Sequence, residues 1–243
     1  MQSADTTPLF VTSGINVGVT AAVHSRLKRL LPERFPEHQF AFPDNIFRGK
    51  PHPLMWKPSE RHATSAGRLM ECWGPLATHL HNVIRPEVEK GKKVLQPRLG
   101  VDALHFAIAR MPHLEETPEG RREIEWQNQE AENLHHDIVK HVVKAGGKPL
   151  PQYLIPLCGD PETITEDWLA QWPALRQVDM RTLRAFVQHE KDAMNRYFTG
   201  HGQREPIYLR SFHSVEMMVE EALEAMAPML AKTATASAAS AAA

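Results

Sequence analysis

Two glycines and a threonine near the start of the chain, Gly14, Gly18 and Thr20, carry the residue types of a phosphate cradle. In the pattern G-x-x-x-x-G-K-[S/T], backbone N–H groups and a helix N-terminus hold phosphates, the lysine reaches the outer phosphates and the hydroxyl holds Mg²⁺. Here the run is Gly14-Ile-Asn-Val-Gly18-Val-Thr-Ala-Ala22, and the lysine is missing. With Gly18 as the second glycine the loop is one residue short, Val19 takes the lysine position and Thr20 keeps the hydroxyl. Read without a gap, Thr20 replaces the lysine and Ala21 the hydroxyl. Neither reading supplies a cation. The competing reading is a tight turn that needs glycine to pass from strand to helix. Asp44 has the chemistry of a general base, and equally of a Pro-Asp-Asn turn. Arg98 can meet an anion or pair with Asp102 one turn on.

These residues need elements to hold them. Leu9 to Thr12 reads as a buried strand. Val23, Leu27, Leu30 and Leu31 fall at helical spacing with basic residues between, a first helix ending near Pro32. A short strand at 39–42 closes on Pro43-Asp44-Asn45. Residues 65–89 read as helix with Leu69, Met70, Trp73, Leu76, Leu80, Val83, Ile84 and Val88 inward, kinked or divided by Pro75 and Pro86. Strands follow at 94–96, 153–158 and 206–209, with helices at 101–110, 122–145 and 182–198. A last helix is capped by Ser214, with Val215, Met218, Val219, Leu223 and Met226 inward. Strands separated by helices imply crossovers, so the fold class is α/β: a five-stranded parallel sheet with helices on both faces. In that architecture Gly14, Asp44, Arg98 and Gly159 gather at the carboxyl ends of the strands. Residues 1–232 form one domain, and the Ala/Ser-rich stretch 233–243 is expected to be a disordered tail.

Composition narrows the function classes. With 42% hydrophobic and 23% charged residues the chain has the make-up of a soluble globular protein. A net charge of −1 and a pI near 6.9 give no basic field for nucleic acid. Cys72 and Cys158 are far apart in sequence and read as reduced thiols of an intracellular protein. No run is apolar enough to span a membrane, and no cleavable presequence is visible. Glu132, His135, His136 and His141 share helix faces only in part, and a solvated helix side explains them better than a metal site. Trp168 and Trp172, one helical turn apart, suit packing or an interface more than base stacking.

The order of pieces over residues 9–230 resembles the thymidylate kinase and deoxynucleoside kinase group of P-loop nucleotide kinases. The run His79 to Ala107, HLHNVIRPEVEKGKKVLQPRLGVDALHFA, is similar to that group's V-I-R-P…G-K-x-V-L-x-D-R stretch. Phe42-Pro43-Asp44-Asn45 resembles its F-P-[D/E]-R, where the acid meets the sugar and acceptor end and the arginine meets the acceptor phosphate. The resemblance implies ATP and Mg²⁺ as cofactors and phosphoryl transfer as chemistry. Several of its charged groups are replaced: Asn45 stands for the acceptor arginine, Pro97 for the acid before Arg98, and Glu71-Cys72-Trp73 for a helical A-x-R. The lid, 163–176, offers Arg176 alone where several arginines are usual.

Loss of one charge stabiliser slows phosphoryl transfer by a factor on the order of 10² to 10⁵. The resemblance therefore implies a catalytically degenerate kinase-like protein serving as a structural or accessory subunit of a larger assembly, mitochondrial or cytoplasmic, with protein partners and no cofactor of its own. An accessory subunit of respiratory complex I similar to deoxynucleoside kinases is a fold-level parallel. The alternative is a divergent nucleoside monophosphate (dTMP-type) kinase using Asp44 and Arg98, with Arg176 or Lys148 as the substitute cation. A third reading is a sensor that binds nucleotide weakly through Gly14, Gly18 and Thr20 without turnover.

Overall fold

The computed structural model describes residues 9–14, 17–45, 74–98, 151–157, 173–185, 205–210 and 214–240, with residues 118, 122, 129, 133, 169, 170 and 188. Five strands form one sheet: β1 (Leu9–Thr12), β2 (Phe40–Ala41), β3 (Lys93–Pro97), β4 (Gln152–Pro156) and β5 (Ile207–Leu209). Every pairing is parallel and the order is β2-β3-β1-β4-β5. The α/β class read from the alternation of strands and helices is thus observed, because parallel neighbours require crossovers. β1 lies at the centre, with Phe10 beside Leu95 of β3 and Gln152 of β4. All four of its residues are buried, which explains why an uninterrupted apolar run, not an alternating one, encodes it.

One face of the sheet is covered by α1 (Val17–Arg34) and a long helix at the end of the chain. Phe10, Leu95, Leu154 and Leu209 meet Val23, Leu27 and Leu31 of α1, and Met218, Val219, Leu223 and Met226 of the last helix. Those four are among the five inward positions expected from its spacing; the fifth, Val215, is partly buried against the same cluster. Its cap is also as expected, the Met217 N–H donating to Ser214 Oγ over 3.1 Å. The helix runs Val215–Ser240, so residues 233–240, placed in a tail by composition, carry helical backbone; alanine has the strongest intrinsic helix preference. Arg26–Glu216 and Arg34–Glu220 pair across the seam between these two helices.

The opposite face carries α2, which covers residues 74–89. Leu76, Leu80 and Ile84 are buried as the spacing predicts, whereas Val83 is 39% exposed and falls off the stripe. Leu80–Ile84 widens into a π turn closed by Arg85 N–H donating to the Leu80 carbonyl, five residues back. Pro86 supplies the cause: it has no N–H and its ring would meet the Asn82 carbonyl in a regular turn. The expected proline kink is therefore absorbed as a widened turn. Glu87, bonded by Lys90 and Lys92 at 2.6 Å each, and Gly91 at φ 81° close the corner into β3.

α3, described over 180–185, is capped by Asp179, which accepts from Thr182 N–H at 2.9 Å and buries Leu183. Among the described residues no helix is long and apolar enough to cross a membrane. Several expectations lie outside the described residues: Leu69, Met70, Glu71, Cys72, Trp73, Asp102, the 101–110 helix, Glu132, His135, His136, His141, Lys148, Cys158, Gly159, Trp168 and Trp172.

Candidate functional site

The connection leaving β1 runs to the β2 side of the sheet, whereas that leaving β4 runs to β5 on the other side. Ligand crevices of open parallel sheets form where neighbouring strands diverge in this way, outside their carboxyl ends. Here that point lies between β1 and β4, and Gly14 and Pro156 stand at it. The end of β1 is pinned on both sides. The Ser13 N–H donates to the Leu154 carbonyl of β4 at 3.2 Å, and the Arg98 N–H donates to the Thr12 carbonyl at 2.8 Å. Arg98 follows β3 directly and is half-buried with φ at 54°, the left-handed region that a residue with a Cβ enters only when its surroundings hold it there.

Gly14 is needed for space. A Cβ placed on it would lie 2.5 Å from Thr20 Oγ1 and 3.5 Å from Pro156 Cδ. Its φ is not in the positive range, which among the described glycines only Gly91 occupies. Thr20 is 2% exposed, and its hydroxyl has no hydrogen-bond partner among the described residues. Gly18 and Val19 belong to the first turn of α1, and Val19 packs on the core cluster under the sheet. Both positions at which the sequence could have carried the lysine, 19 and 20, therefore face inward. The hydroxyl expected to meet Mg²⁺ lies against Gly14, and neither position 19 nor position 20 brings a cation to the turn.

Just below the turn, Thr12 Oγ1 and His24 Nδ1 lie 2.8 Å apart and tie β1 to α1. Burial, helped by the nearby Lys28 charge, pushes the His24 pKa down to about 4, so the ring is neutral at ordinary pH.

The other half of the carboxyl edge lies at β2 and β3. Asp44 follows β2 and is exposed; its backbone carbonyl accepts from Gln96 Nε2 at 3.4 Å. Gln96 is fully buried. Its Nε2 also donates to the Pro97 carbonyl at 2.9 Å, and its Oε1 lies 2.9 Å from His79 Nε2 on α2. Leu95 belongs to the α1 face, so strand alternation turns Gln96 to the α2 face, where His79 meets it. Gly14, Asp44 and Arg98 thus gather at the carboxyl ends of their strands, as expected of them. Arg176 sits exposed on a short 3₁₀ helix, Pro173–Gln177.

Gln96 and His79 did not stand out from the sequence. The available signal was a glutamine inside an otherwise apolar strand, since a buried amide must find partners. Among the described residues no group of three or more His, Cys, Asp or Glu is placed to hold a metal. No protein-family model matches the chain, and no curated protein matches it.

Proposed function

We propose that the chain is a nucleotide-kinase-like protein that has given up phosphoryl transfer and acts as a non-catalytic, accessory component of a larger protein assembly. One observation carries the reading: positions 19 and 20, the two places at which this loop could carry its lysine, hold no cation and lean into the protein. Val19 packs on the core and Thr20 is buried against Gly14. Phosphoryl transfer depends on cations around the transferring group, and neither position supplies one. The replacement of neighbouring charged groups by Asn45 and Pro97 points the same way.

A second reading, a divergent nucleoside monophosphate kinase, draws on Arg98. Its backbone is held in the left-handed region beside the β1 turn, and such backbone clusters at functional sites. Purified protein given ATP, Mg²⁺ and each deoxynucleoside monophosphate separates the two by ADP release and thermal shift. The accessory reading expects no turnover and no shift, together with copurification in a large complex. Turnover abolished by Asp44→Asn would refute it. Stabilisation without turnover, about 2.7 kcal/mol at a hundredfold excess over Kd, would point to a nucleotide sensor.

A further inference from the structure

We propose that Gln96 is a positioning residue for the Asp44 turn and that it fixes the proton of His79. The buried carboxamide touches three elements: its own strand β3, the Asp44 carbonyl after β2, and the His79 ring on α2. Its orientation is set by chemistry. Nε2 faces two carbonyl oxygens, at Asp44 and Pro97, and must donate to both; the flipped amide would set oxygen against oxygen at each. Oε1 therefore faces His79 Nε2, and an oxygen accepts only from a nitrogen that carries its proton. His79 is held as the Nε2–H form, with the lone pair at Nδ1.

β2 is only two residues long and pairs with β3 through Phe40 and Ala41, so the ladder stops before Asp44. Beyond the ladder, the Gln96 amide carries a hold of β3 on the chain as far as the Asp44 carbonyl. The arrangement keeps the carboxylate-bearing turn beside the carboxyl edge and couples its place to α2. It is a property of the free protein and stands whether or not a nucleotide binds.

Long-range ¹H–¹⁵N spectra of the full chain at neutral pH read the tautomer directly. The expected His79 pattern is a protonated Nε2 and an unprotonated Nδ1; the reverse tautomer would overturn the proposal. Gln96→Glu tests the positioning. A carboxylate can accept from His79 but cannot donate to either carbonyl, so amide exchange at Phe42, Asp44 and Asn45 should accelerate roughly tenfold, the scale of one lost hydrogen bond. Exchange at those three amides unchanged from wild type in Gln96→Glu, with the core amides of β1 still protected, would also overturn it. Should that variant fail to fold, His79→Gln, which keeps a donor toward Oε1, must leave exchange at Phe42, Asp44 and Asn45 at the wild-type rate; faster exchange there would refute the role given to Gln96.

Discussion

Replacing Gly14 by alanine tests the geometry of the β1–α1 turn, because the sign of its effect depends on one neighbour. The added Cβ would lie 2.5 Å from Thr20 Oγ1, well inside contact distance, while Pro156 Cδ at 3.5 Å and its carbonyl oxygen at 3.7 Å are ordinary neighbours. Overpacking of this kind costs about 1–3 kcal/mol. Against that stands a gain of about 0.4–1 kcal/mol from the reduced freedom of the unfolded chain, available because φ at Gly14 suits an L-residue. The net expectation is a loss of about 1–2 kcal/mol, or roughly 2–4 °C per kcal/mol in melting temperature for a chain of this size. In a Thr20→Ala background the offending oxygen is gone, and the same substitution should become neutral or stabilising by about 0.4–1 kcal/mol. In a Thr20→Val background a methyl replaces the oxygen and the penalty should persist. Thr20→Val alone should stabilise by about 1 kcal/mol or more, because an unpartnered buried hydroxyl is removed. Urea unfolding of the single and double variants at constant m-value gives the coupling directly. Equal destabilisation by Gly14→Ala in wild-type and Thr20→Ala backgrounds would show that the two residues do not interlock.

Three further outcomes follow from the same structure. The folded pKa of His24, about 4, lies below its ordinary 6.5, so the unfolded chain takes up the proton first as pH falls. The contribution is fully present above pH 6.5 and lost on the way down to about 4, some 3 kcal/mol in all; a His24→Gln variant whose stability declines as steeply over that window would contradict this. Leu27→Ala, at a fully buried core position of α1, should cost about 2–5 kcal/mol in urea melts. Arg34→Ala should cost under about 1 kcal/mol, since its pair with Glu220 is more than half exposed on both sides; a larger loss would mean the helix seam depends on charge.

The sheet was legible because buried parallel strands leave short apolar runs between helical patterns, and Leu9–Thr12 and Gln152–Pro156 are such runs. The last helix was legible down to its cap, for Ser214 and the spacing of Met218 to Met226 are local signals. Less of the site could be read. That Gly14, Asp44 and Arg98 share an edge follows from topology alone, but the direction in which Thr20 points is decided by how α1 leans on β4, which no local pattern encodes. The same holds for Val83, pushed off the apolar stripe by the extra residue of the π turn. Gln96 and His79 are 17 residues apart, and a bond of that kind is tertiary.

The central place of β1 also bears on how the protein is made. Its partners arrive late: Leu9 pairs with Val94, 85 residues further on, and Phe10 with Gln152 later still. At synthesis rates of about 5–20 residues per second, roughly 4–17 s pass before β3 can cover the first strand. Through that interval Leu9, Phe10 and Val11 have neither of their native strand partners, and an apolar strand left unpaired is the kind of segment that aggregates.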